Sequence, residues 1–200
     1  MSGVFITGTD TGVGKTFITL ALARALMARG IDVGVMKPIS CGPMDDNDAV
    51  YLKKELKISD PLDLINPIRL RLPLAPYAAS AILRKKIDLK KIFKAFKKLL
   101  ITHEIVLVEG VGGVLVPIKK NYFAADLAKD LNIPAIIVAR AGLGTINHTL
   151  LTVEALRSRK VDILGIIMNG FTGKELSEKT NSKIIENITR IPVLAKLRIV

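Results

Sequence analysis

Short aliphatic runs recur along the chain and alternate with segments of helical periodicity. Residues 4–7, 33–36, 105–108, 135–139 and 163–168 are apolar almost without interruption. A strand with one solvated face alternates polar and apolar residues; a strand covered on both faces reads as a continuous run. Between these runs lie helical patterns. The first passes through Ile18, Leu22, Ala25 and Leu26, with Gly30 placed to end it, and others cover 48–56, 84–100, 123–131, 145–159 and 175–188. A last short strand falls near 193–197. The regular strand–helix order predicts an α/β fold, a doubly wound and mostly parallel sheet with helices on both faces. Residues 37–47 read as a loop, and Pro61, Pro67, Pro73 and Pro76 mark a connector. With no repeat, linker or composition break, one domain over residues 1–200 is expected.

Half the residues are hydrophobic, which excludes a disordered chain, and the single Cys41 excludes a disulfide framework within the chain. Met1 leads directly into a strand-like run, so no cleavable signal is expected, and no apolar stretch reaches the roughly 18 residues that span a bilayer. A reducing cytoplasmic location is the resulting expectation. The net charge is +12, with much of it in residues 84–98, RKKIDLKKIFKAFKK. There Leu89, Ile92, Phe93, Phe96, Leu99 and Leu100 recur at helical spacing and leave the lysines on the other face. Such a helix suits an anionic membrane or nucleic acid; it equally suits a solvated face in a Lys-rich proteome. Charge alone specifies neither, so no nucleic-acid or membrane partner is expected.

In a parallel sheet, ligands bind beyond the carboxyl ends of the strands. The polar segments 9–16, 37–42, 109–113, 141–147 and 169–170 all follow strands, so the topology predicts that they converge on one sheet edge. The first is Gly8-Thr-Asp-Thr-Gly12-Val-Gly14-Lys15-Thr16, between a strand and a helix. Glycines there let backbone N–H groups turn toward phosphate oxygens at a helix N-terminus. Lys15 is then the residue for the β- and γ-phosphates and Thr16 the hydroxyl for Mg²⁺. The spacing is a variant, because Thr9 occupies the usual first glycine position and Gly8 precedes it. Lys37 follows the second strand, where it either meets the γ-phosphate or is a solvated strand-end lysine. Asp48 either serves the site or caps a helix. Glu109 ends a buried strand, where a carboxylate without a partner is costly, and Mg²⁺ is the favoured partner.

These segments closely resemble the dethiobiotin synthetase family. The resemblance rests on Thr7-Gly8-Thr9-Asp10-Thr11 with Gly14-Lys15-Thr16, on Lys37-Pro38, Asn47-Asp48-Ala49 and Leu72-Pro73-Leu74-Ala75-Pro76. It continues through Val108-Glu109-Gly110-Val111-Gly112-Gly113, the segment LGTINHTLLT at 143–152, and Asn169-Gly170. The blocks follow the family's order over nearly the whole chain, and the 143–152 block is absent from generic phosphate-loop ATPases.

The resemblance implies an ATP- and Mg²⁺-dependent ring closure of 7,8-diaminononanoate with CO₂ to dethiobiotin, through a carbamate and a carbamic-phosphoric anhydride. It implies catalytic roles for Lys37, Lys15 and Thr11, and Mg²⁺ held by Thr16, Asp48 and Glu109. Nucleotide contacts are implied at Gly12, Val13, Gly14, Lys15, Thr16, Phe17, Asp48, Glu109, Gly110, Val111, Gly112, Asn169 and Gly170. Substrate contacts are implied at Thr11, Lys37 and Cys41 for the diamine, and at Gly144, Thr145 and Asn147 of a partner subunit for the carboxylate. Asn147 is alternatively a cap or interface residue, Asn169 a turn asparagine, and His148 a packing residue. A homodimer with a shared active site is implied. Lys37→Ala is expected to keep the fold and lose turnover.

Gly12 stands where some members carry an acid, and Cys41 where a hydroxyl is common; neither removes an essential charge. The family usually continues past a Gly-x-Ile-Pro-like segment that completes the base pocket, whereas this sequence runs to Leu197-Arg198-Ile199-Val200. Loose discrimination among ATP, CTP and GTP is the expectation. A MinD- or ParA-like ATPase switch is the alternative, but segment 8–14 lacks the second lysine of those proteins. A cobyrinate-type amidoligase would need a glutaminase domain.

Overall fold

The computed structural model describes residues 3–43 and 47–198. Residues 44–46 of the expected 37–47 loop, and Met1, Ile199 and Val200, lie outside them. The elements run β1 (Gly3–Gly8), α1 (Lys15–Met27), β2 (Val33–Met36), β3 (Ile39–Cys41), α2 (Asp48–Leu56), α3 (Leu62–Ile65), β4 (Ile68–Leu70), α4 (Pro76–Ile82) and α5 (Leu89–Thr102). They continue as β5 (Ile105–Gly113), β6 (Pro117–Lys119), β7 (Tyr122–Phe123), α6 (Ala124–Asp130), β8 (Ala135–Arg140), α7 (Thr145–Arg157), β9 (Ile163–Phe171), α8 (Leu176–Thr189) and β10 (Val193–Arg198).

Six of the described strands form a sheet in the order β10-β9-β8-β1-β5-β2, and every neighbouring pair is parallel. The apolar runs fill both faces. Phe5, Val106, Val108, Ile137 and Met168 pack on the α5–α8 side with Ile92, Phe96, Leu99, Leu156 and Ile185. Val4, Ile6, Leu107 and Val138 pack on the opposite side under Ile18, Ala23 and Leu52 of α1 and α2. Burial of each such Ile, Leu or Phe contributes about 1.5–3 kcal/mol, so the sheet is fixed from both sides. Crossover connections carry all the strand C-termini to one edge, and the phosphate loop leaves β1 there.

The structure corrects three readings. The 37–47 segment is not only loop: β3 pairs with β4 in a separate two-stranded sheet. The basic helix begins at Leu89, not Arg84: Arg84 has φ 49°, and Asp88 caps α5 by accepting from Lys90 N–H at 3.0 Å. Segment 109–113 stays in the strand, with a register shift against β1 between Ile6 and Gly8.

At the far edge of the sheet, His103 closes α5 onto β2. One ring nitrogen lies 2.9 Å from Asp32 and the other 2.9 Å from Asp60. Gly34 is required beside it, because a Cβ there would stand 2.6 Å from the imidazole. Burial pushes the His103 pKa down, but hydrogen bonds and charge from Asp32 and Asp60 raise it overall above the ordinary 6.5. The native state then holds a proton that the unfolded chain has lost, so this stabilisation is complete below pH 6.5 and disappears as pH rises through the raised pKa. Urea unfolding of wild type and His103→Gln should therefore show a gap that narrows from pH 6 to pH 9. A gap independent of pH would rule the ionic tie out.

Candidate active site

The strand ends enclose a cavity of about 350 Å³ whose lining includes Thr11, Gly12, Gly14, Lys15, Thr16, Lys37, Cys41, Asp48, Glu109, Val111 and Gly112. Residues more than 90 positions apart in sequence meet there, as the parallel topology requires. Gly14 is the N-cap of α1 at φ 94°, a left-handed conformation suited to glycine, and no side chain among the described residues caps the helix. The first-turn N–H groups are thus left for a ligand, with the helix dipole adding positive potential.

Charged groups concentrate at the cavity floor. The Lys37 ammonium is buried, 2.7 Å from Asp48 Oδ2 and 2.5 Å from Glu109 Oε1. Thr16 Oγ1 lies 2.9 Å from both Asp48 Oδ1 and Glu109 Oε1. Glu109 is fully buried, and its Oε2 has no hydrogen-bond partner among the described residues. Burial acts to lower the Lys37 pKa, yet Glu109 and Asp48 raise it overall, so the side chain is an ammonium. Burial acts to raise Asp48, and Lys37 holds it below the usual carboxylate range. Lys15 Nζ donates to the Asp10 carbonyl at 3.0 Å, and burial with the nearby Lys37 charge lowers its pKa to about 8. Burial pushes the Cys41 thiol up to about 11, which makes it a neutral wall residue, not a nucleophile.

A Mg²⁺ ion fits this donor set. Thr16, Asp48 and Glu109 offer hard oxygens, one of them orphaned and buried, and their small number suits an ion that keeps waters and takes phosphate oxygens.

Several implied residues lie elsewhere. Phe17 is half-exposed and is not among the residues that line the cavity. Val13 and Asn169 meet, with Asn169 Nδ2 donating to the Val13 carbonyl at 3.0 Å. Gly110 offers its carbonyl 3.4 Å from Lys37 Nζ, and Gly170 follows Asn169 at the end of β9. Gly144 is the N-cap of α7, Thr145 is buried and Asn147 exposed; all three stand apart from the cavity lining. The cap reading of Asn147 is corrected, since Gly144 holds that position.

Sequence reading missed two supports. Asn66 is fully buried: its Nδ2 donates to the Lys37 carbonyl at 2.7 Å, and its Oδ1 accepts from Ser40 at 2.8 Å. Only the Asn66-Pro67 pair signals it, and that pair says "turn". Arg140 reaches Asp10 of the phosphate loop at 2.8 Å, while the same carboxylate accepts from Thr11 N–H at 2.7 Å.

Comparison with known proteins bears on this architecture. A family model described as "AAA domain" matches residues 2–199. The chain is 47% identical over 197 residues to ATP-dependent dethiobiotin synthetase BioD of Endomicrobium trichonymphae, covering 96% of this chain and 90% of that protein. It is 47% identical over 189 residues to the protein of the same name from Aquifex aeolicus, covering 94% and 85%. The chain belongs to the dethiobiotin synthetase family. Among solved structures, the ParA family ATPase of Chlorobium tepidum superposes with TM-score 0.61 at 14% identity over 98% of this chain and 85% of that one. The MinD cell division protein of Aquifex aeolicus gives 0.61 at 17% over 99% and 82%. At such identities these likenesses show the phosphate-loop α/β fold alone. No helix among the described residues is long and apolar enough to cross a membrane.

Proposed function

We propose that residues 1–200 form one phosphate-loop unit that closes 7,8-diaminononanoate and CO₂ into dethiobiotin, converting ATP to ADP and phosphate with Mg²⁺. Membership in a family of ATP-dependent ligases of biotin biosynthesis supports the reaction class. The observation that carries the reading is the meeting of Lys37, Thr16, Asp48 and Glu109 beside the phosphate loop.

One amine of the substrate adds CO₂ and loses a proton, giving a carbamate. A carbamate oxygen attacks the γ-phosphorus and ADP leaves. The second amine then attacks the carbonyl carbon, phosphate departs with the C–O electron pair, and a proton is released as the cyclic urea closes. Phosphoryl transfer needs positioning and charge neutralisation more than covalent help from the protein. Lys15 and Lys37 supply positive charge in a site shielded from water, where it is worth most. Thr16, Asp48 and Glu109 would hold Mg²⁺, which when bound neutralises phosphate charge. Thr11 and Cys41 line the diamine side of the cavity. Asn169, at the end of β9, is proposed to read the adenine edge.

The carboxylate end is proposed to bind at Gly144, Thr145 and Asn147 of a second subunit. Their separation from the cavity supports that division of labour. A groove lined by Val114, Leu115, Pro117, His148 and Leu151, with Leu115 and Leu151 half-exposed, supports a homodimer interface beside the phosphate loop. The switch alternative lacks support, since segment 8–14 contains no second lysine.

Purified protein mixed with Mg-ATP, bicarbonate and 7,8-diaminononanoate should form dethiobiotin in step with ADP, read by mass spectrometry. ADP without dethiobiotin would refute the substrate assignment and leave the nucleotide site standing.

A further inference from the structure

Lys37 lies between the two carboxylates that the proposed reaction assigns to a metal ion. Thr16 has one hydroxyl proton and faces both carboxylates at 2.9 Å, so it donates to only one at a time. Most of the neutralisation therefore falls on the buried Lys37 ammonium, at 2.7 Å from Asp48 and 2.5 Å from Glu109.

Taken together, Lys15, Lys37, Asp48 and Glu109 are formally neutral. A divalent cation added alone would bring two uncompensated charges into a site where Glu109 is fully buried and Lys15 and Lys37 nearly so. It would also face the Lys37 charge at close range. A polyphosphate added alone would draw Lys37 away and leave two carboxylates without a counterion, which is equally costly. Each ligand relieves the cost of the other.

We propose that Lys37 is an internal stand-in for the divalent cation, so that metal and nucleotide bind with positive cooperativity. The metal takes Asp48 and Glu109 from the Lys37 ammonium, and the nucleotide phosphates accept the released charge. Because binding linkage is reciprocal, the metal tightens the nucleotide by the factor with which the nucleotide tightens the metal. This deepens the assignment of Thr16, Asp48 and Glu109 as cation ligands and rests on it.

The test measures free Mn²⁺ by electron paramagnetic resonance during titration of the protein, with and without a non-hydrolysable ATP analogue. Wild type should bind Mn²⁺ at least tenfold more tightly with the analogue present. Lys37→Met lacks the stand-in, so it should bind Mn²⁺ without nucleotide at least tenfold more tightly than wild type. Its thermal midpoint should rise with Mn²⁺ alone, whereas the wild-type midpoint should not. Lys37→Arg keeps the charge and should show the wild-type preference for Mn²⁺ with the analogue over Mn²⁺ alone. If Lys37→Met does not fold, the wild-type titrations still decide, since equal Mn²⁺ affinity with and without the analogue overturns the inference. Equal affinity in wild type and Lys37→Met overturns it too, and leaves the metal ligands standing. Absence of Mn²⁺ binding to wild type even with the analogue overturns the ligand assignment itself, and the inference with it.

Discussion

Lys37→Ala should lose at least nine-tenths of kcat and, unlike the expectation from sequence, should also lose stability. The catalytic part follows from charge. An ammonium at the transferring phosphoryl group stabilises the transition state, and a tenfold loss of kcat corresponds to only about 1.4 kcal/mol. The stability part follows from burial. Truncation leaves Glu109 fully buried beside Asp48, with Oε2 already lacking a partner among the described residues. Removing one member of a buried ion pair costs about 3–5 kcal/mol, because the remaining charge is stranded. The two effects separate in the double variant Lys37→Ala with Glu109→Gln. Neutralising the stranded carboxylate should restore much of the urea midpoint and none of the turnover. Turnover of the single variant above a tenth of wild type would refute the catalytic role. A single variant as stable as wild type would refute the electrostatic account of the cluster.

The contrast shows which parts of the site can be read from residues in order. β2 and α2 have the bounds that the sequence predicts, because a continuous aliphatic run and the helix-opening Asn47-Asp48-Ala49 are local signals; the cap itself is Asn47, whose Oδ1 accepts from Ala49 N–H at 2.9 Å, and not Asp48. The convergence of segments 9–16, 37–42 and 109–113 follows from strand order alone. Partnership does not. That Lys37 and Glu109 neutralise one another depends on side chains 72 residues apart across β2 and β5, and no periodicity reports it. β3 and β4 are three-residue strands, too short to show an alternation. Residues 84–88 read as helix because the lysine-rich pattern is continuous, whereas the left-handed turn at Arg84 and the Asp88 cap start α5 later. Asn66 donates to the Lys37 carbonyl, a contact that the turn signal of Asn66-Pro67 does not reveal.

Gly14→Ala tests the phosphate loop most directly, and two physical effects act on it together. At φ 94° an alanine is held in the left-handed region, which costs about 1–2 kcal/mol. Its Cβ would also stand 2.2 Å from Asn169 Nδ2. Asn169 must then swing out and give up its bond to the Val13 carbonyl, or the loop must shift. A loop shift turns first-turn N–H groups away from the phosphates, and loss of the Asn169 bond frees the Val13 peptide to make that shift. Hydrogen bonds to charged groups contribute about 1.5–3 kcal/mol each. Losing two such bonds amounts to at least ~3 kcal/mol, or about a hundredfold in nucleotide affinity. The sheet is untouched, so thermal unfolding should remain cooperative with a small drop in midpoint. Asn169→Ala in the Gly14→Ala background, read against Asn169→Ala alone because Asn169 is itself proposed to hold the base, tells the two effects apart. Removing the amide clears the clash and leaves the strained φ. Equal affinity of the double variant and Asn169→Ala would assign the loss to crowding between β9 and the loop; a double variant as much weaker than Asn169→Ala as Gly14→Ala is than wild type would assign it to the left-handed backbone. Nucleotide affinity unchanged in Gly14→Ala would mean that the loop does not hold the phosphates at all.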